Sequence, residues 1–94
     1  MGIREMGCYI VTYDLNKETK RPDILKDIKS YGTWAKLSES SYAIVTSSGA
    51  KAVYDKLSKH LDGNDNCYIN SLSEPFYGQG PQKVNEWLAN NLPG

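Results

Sequence analysis

The stretch from Cys8 to Asp14 constrains the fold of this chain more than any other part of it. Cys8, Tyr9, Ile10, Val11, Thr12 and Tyr13 are apolar, β-branched or aromatic, the residue types a pleated strand accommodates best. Apolar and polar residues alternate only weakly along the run, so both of its faces are expected to be covered. A strand covered on both faces belongs in the middle of a sheet. Asp14 then stands at its C-terminal end.

The remaining pattern can be read outward from that strand. Asn16 to Arg21 is polar and reads as a loop. Pro22 suits the first turn of a helix, and Ile24, Leu25, Ile28 and Tyr31 recur at helical spacing until Gly32 stops it. Trp34–Ser38 and Tyr42–Thr46 are two β-rich runs either side of Glu39 and Ser40, which predicts a hairpin. Ser47 or Ser48 is expected to cap the next helix. Its apolar positions are Ala50, Val53, Tyr54, Leu57 and Leu61, with Lys59 and His60 in its last turn. After the turn cluster Asp62, Gly63, Asn64 and Asp65, Cys67–Leu72 reads as a fourth strand. The order strand, helix, strand, strand, helix, strand is that of an α+β, ferredoxin-like split βαβ domain (βαββαβ), with the first and third strands in the middle.

A further helix follows. Ser73 to Gly80 is rich in turn residues, and Pro81 opens a segment with Val84, Trp87, Leu88 and Leu92 on one stripe. Such a stripe must dock, either on the open face of its own sheet or on a second copy. The chain thus divides into an N-terminal tail (1–7), a ferredoxin-like domain (8–72) and a C-terminal loop and helix (73–94). Its 94 residues leave room for one core only.

Charge narrows the function classes. Lys and Arg total 11, as do Asp and Glu, so the basic excess common in nucleic-acid-binding domains is missing. Lys17, Lys20, Arg21, Lys26 and Lys29 fall close together, but Asp14, Glu18, Asp23 and Asp27 are interleaved with them, as on an ordinary solvated face. With a single histidine, His60, there is no His-pair zinc site or acid–base couple. Cys8 and Cys67 are expected to be free thiols at opposite ends of antiparallel strands. No apolar segment is long enough to span a bilayer and Met1–Gly7 has no signal-peptide core, so no membrane partner and a cytoplasmic location are expected.

The run Tyr9–Asp14, the polar loop after it, the helix ending at Tyr31 and Gly32, the Trp34–Thr46 hairpin and the terminal Pro81…Trp87, Leu88 helix together resemble the Cas2-like group. That group includes CRISPR Cas2, the VapD proteins and small stand-alone relatives labelled SinR-like, to which the terminal helix is most similar. The resemblance covers residues 8–72 well and the tail more loosely. It implies a ferredoxin-like homodimer acting in nucleic-acid metabolism. It further implies a metal-dependent endonuclease in which Asp14 from each chain, paired across the dimer axis, holds Mg²⁺ or Mn²⁺. Oxygen ligands and retained waters suit those ions, and such a metal polarises a phosphate and activates water. On this reading Asp14 is both catalytic and metal-binding, while Tyr13, Lys17 and Arg21 are binding residues. In Cas2 proteins the tail adds a strand to the partner's sheet, whereas here it is helical.

The bland alternative is that Asp14 closes a turn through its own side chain, as strand-end aspartates commonly do. The protein would then be a non-catalytic homodimeric adaptor or binding module for a protein or nucleotide partner. Two weaker signals remain. Tyr77, Gly78, Gln79, Gly80 and Pro81 precede a helix N-terminus, a place where phosphate can bind. Seven Tyr and two Trp are many for this length, but the chain lacks the third-strand signature of sheet-stacking RNA binders, which leaves core packing and dimer contact as the better account.

Overall fold

The computed structural model describes residues 6–94; of the expected N-terminal tail, residues 1–5 lie outside the described residues. The chain forms β1 (Gly7–Asp14), a 3₁₀ turn (Glu18–Lys20), α1 (Arg21–Lys29), β2 (Trp34–Ser38), β3 (Ser41–Thr46), α2 (Ala50–Ser58), β4 (Asn66–Leu72) and α3 (Gln82–Asn91). The four strands make one antiparallel sheet in the order β2-β3-β1-β4. The fold is therefore α+β with two inner strands, β3 and β1, which is compatible with the expected split βαβ arrangement.

Strand alternation divides the molecule into two apolar clusters. Val11 and Tyr13 of β1 and Tyr42 and Ile44 of β3 point to one face. There Ile24 and Ile28 of α1 and Val53 and Leu57 of α2 cover them. Cys8 of β1 and Ala43 of β3 point to the other face, where Leu88 in α3 and Leu92 just after it close over them, with Val45, Leu72, Phe76, Val84 and Trp87 packed around. The terminal helix thus docks on its own sheet. Its buried anchors are Leu88 and Leu92, and Trp87 is only half-buried. α3 covers the part of this face near Cys8. Towards the other end of β1, Thr12 lies level with Tyr68 and Ser41, and Asp14 lies level with Asn66; of these, Asp14, Asn66 and Tyr68 are exposed.

Local chemistry explains most boundaries. Pro22 lies in the first turn of α1, and Gly32, with φ of +84°, adopts the left-handed conformation that ends it. The cap of α2 differs from the expectation. Gly49, with φ of +88°, holds the N-cap position and no side chain caps the helix. The Ser48 hydroxyl lies 3.0 Å from the Thr46 Oγ1, which also accepts the Ser48 N–H. Local pairing with the strand end keeps both hydroxyls away from the helix. α2 also ends earlier than its apolar stripe suggests, so Lys59 is its C-cap and His60 lies beyond it. His60 Nε2 sits 2.7 Å from the Asp27 carboxylate, tying α2 to α1. Beside it Lys56 donates to Ser30 Oγ at 2.5 Å and stands 4.7 Å from the Tyr31 ring.

Candidate functional site

The residues singled out by the sequence surround the C-terminal end of β1, and alternation sends them to different sides of the sheet. Tyr13 points to the helix side and is buried. Its hydroxyl donates to the Glu39 carbonyl at 3.1 Å. Arg21, from the first turn of α1, lies over the Tyr13 ring with its guanidinium carbon 5.5 Å from the centroid. Its Nε and Nη2 donate to the two Glu18 carboxylate oxygens at 2.6 and 3.1 Å. Its Nη1 donates to the Glu39 carbonyl and, at 3.4 Å, to the Tyr13 hydroxyl. The result is a clasp that fastens the start of α1 to the β2–β3 turn. Burial pushes the Tyr13 phenol up, partly offset by Arg21, and the forked contact with Arg21 holds the Glu18 carboxyl below its ordinary value.

A second clasp lies next to it, between residues far apart in sequence. Lys20 Nζ donates to Asp62 Oδ2 at 2.5 Å, to Asp65 Oδ2 at 2.6 Å and to Asn16 Oδ1 at 3.0 Å. The Asp65 carboxylate also accepts the backbone N–H of Asn16 at 2.8 Å and of Asp62 at 3.0 Å. Its side chain has no exposed surface. An ammonium and two amide donors favour the charged form, so its pKa is held down at about 2. Asp62 is lowered as well, first by Lys20 and then by the Asn64 N–H. The sequence showed Asp62–Asp65 as a turn cluster and Lys20 as one basic residue among several. Nothing in local spacing joins residues more than forty positions apart, so the sequence pattern carries no sign of this clasp.

Asp14 stands apart from both. It is exposed, at the end of β1, on the face opposite Tyr13. The turn after it is closed by Asp65 through the Asn16 N–H, so the turn-closing role considered for Asp14 belongs to another residue. Lys17 lies exposed in the intervening loop, its carbonyl accepting the Lys20 N–H at 3.2 Å. The structure thus brings Tyr13 and Arg21 together and leaves Asp14 and Lys17 separately exposed. Among the described residues no group of three or more His, Cys, Asp or Glu is placed to hold a metal ion.

The other chemistry-bearing residues are dispersed. Cys8 and Cys67 are free thiols on opposite faces, since Cys8 lies level with Leu72 and Cys67 with Tyr13. Desolvation raises both pKa values, which makes them poor nucleophiles at neutral pH. Tyr77 to Pro81 border a cleft of about 320 Å³ between α3 and the edge of β2, with Leu37, Leu72, Phe76, Val84 and Leu88 among its walls. No charged side chain lines it. Of the first-turn N–H groups of α3, that of Val84 is bonded to the Pro81 carbonyl at 3.0 Å, and the absence of a cationic side chain from the cleft leaves a phosphate without a counter-charge there. The cleft suits a neutral apolar group better than a phosphate.

The chain matches no protein-family model, no curated protein and no solved structure. Among the described residues no helix is long and apolar enough to cross a membrane.

Proposed function

We propose that this chain is a ferredoxin-like domain of Cas2-like type that serves nucleic-acid metabolism as a non-catalytic, homodimeric binding module. One observation carries the choice of a binding role over catalysis. Four of the charged and polar side chains around the end of β1 are already used by partners in the same chain: Tyr13 and Arg21 in one clasp, Lys20 and Asp65 in the other. Asp14 is left as a lone carboxylate. General acid–base or metal-assisted hydrolysis needs at least a second positioned group.

A second reading is favoured by the exposure of Asp14 and by its freedom from turn closure. On that reading the protein is a metal-dependent endonuclease, with Mg²⁺ or Mn²⁺ held between Asp14 residues of two chains. The donor set of one chain does not fit such an ion, since it offers one carboxylate there, and a second copy would have to supply the other.

The test is cleavage of short RNA and DNA with Mg²⁺ or Mn²⁺ by the parent and by Asp14→Ala, with the mass in solution measured for both. The binding role expects no cleavage above background from either. Cleavage by a dimer that disappears in Asp14→Ala, with the dimer intact, would overturn it in favour of the nuclease.

A further inference from the structure

Two strands border the sheet, and they are built differently. β2 is five residues long, carries Lys36 paired to Glu39 at 2.9 Å, and has a register shift between Lys36 and Ser38. Short length, a lysine and a bulge are the devices that discourage another chain from pairing along an edge. β4 has none of them. Its seven residues, Asn66–Leu72, include no charge and no proline, and they pair with β1 in unbroken register. Among the described residues no backbone hydrogen bond reaches its outer edge. Two tyrosines are exposed near this edge on opposite sides of the sheet, Tyr68 on the side of α3 and Tyr54 on α2, and a shallow groove there is bordered by Lys51, Cys67 and Ile69.

We propose that β4 pairs antiparallel with β4 of a second copy, joining two four-stranded sheets into one of eight strands. Pairing along the whole strand places the two-fold axis at Ile69. Tyr68 then lies opposite Asn70 of the second copy, Cys67 opposite Ser71 and Asn66 opposite Leu72. A two-fold interface brings each patch against itself, so charges of one sign near its centre would face each other at a cost. β4 has no charge to be repelled. On the helix side α2 approaches its twin, and that surface carries both signs, Lys51 and Asp55, paired at 2.8 Å within the helix. Each such strand pair forms about six to eight inter-chain backbone hydrogen bonds. Because β2 is blunted, growth stops at two copies.

This interface goes beyond the binding reading and is independent of any metal. Strands lie about 4.8 Å apart and rise about 3.3 Å per residue. The two Asp14 residues, each level with Asn66 on the strand behind, would therefore lie about 25 Å apart, too far to share an ion. A dimer of this kind and a nuclease with paired Asp14 exclude each other.

The test is the mass in solution of the parent and of two double variants at exposed positions. The parent is expected at twice 10.5 kDa. Tyr68→Lys with Asn70→Lys sets lysine opposite lysine at two places and is expected to fall to the single-chain mass. Tyr68→Lys with Asn70→Glu sets lysine opposite glutamate in the same register and is expected to restore the dimer. Melting curves close to the parent's show that the fold persists in both. A monomeric parent overturns the proposal and leaves the edge to an extended segment of another protein. A dimer that survives the double lysine variant overturns it too, and points to a different surface, whatever the cleavage assay has shown.

Discussion

Asp65 accepts three hydrogen bonds at the loop end of the molecule, and its electrostatics have a readable consequence. Its folded pKa of about 2 lies below the ordinary aspartate value of about 3.9. A lowered carboxylate contributes stability that is complete above its unfolded value and is lost as pH falls through the folded one. The window is therefore from about pH 4 down to about pH 2. Asp62, Glu18 and Glu39, each lowered by a cationic partner, act in the same direction. The variant Asp65→Asn should melt below the parent at pH 7, and the two melting temperatures should converge as the pH approaches the folded value. Circular dichroism melts across that range check this, and parallel curves would refute it. Arg21 is the instructive contrast. In the sequence it is one of several basic residues before a helix, and only the folded chain shows its donors turned inward to Glu18 and the Glu39 carbonyl.

At the scale of elements, the terminal helix is the part whose removal is easiest to follow. α3 and the residue after it contribute Leu88 and Leu92 to the smaller cluster, over Cys8. Cys67 packs against the other cluster, across the sheet. Leu88→Ala is expected to cost about 2 kcal/mol, the low end of the usual range for a buried leucine. It should speed alkylation of Cys8 in the native state while leaving Cys67 unchanged. Mass spectrometry of partly labelled protein separates the two sites, and equal acceleration at both would show that the helix does not open alone. The elements themselves were largely legible in the sequence. Strand and helix periods, Pro22 and Gly32 mark their own ends because each acts locally. The α2 cap is different: Ser47 and Ser48 are good caps in isolation, and only the fold turns Ser48 back to Thr46 and gives the cap to Gly49. Tyr13 and Asp14 were legible as neighbours, and strand alternation alone puts them on opposite faces. The partners of each came from distant segments and were not legible.

The whole molecule is thin, with extents of 39 × 35 × 19 Å and a radius of gyration of 13.5 Å. The shortest dimension is that of a helix pair, a sheet and a single helix stacked at about 10 Å per spacing. The two sides of the sheet are unequal. Eight buried residues among those described form the cluster under α1 and α2, and four form the one under α3. Stability should follow that division. Native-state hydrogen exchange is expected to be slowest in the inner strands β1 and β3 and faster in α3 than in α1 or α2. Uniform protection of all three helices would contradict this. The position of β1 also has a consequence in time. The strand at the centre of the sheet is made first, and its neighbour β4 follows about fifty residues later, roughly 3–10 s at ordinary rates of synthesis. Until then the most apolar run of the chain is held on one side at most, by β3. It is as a growing polypeptide, before the last strand emerges, that this protein is most open to the wrong neighbour.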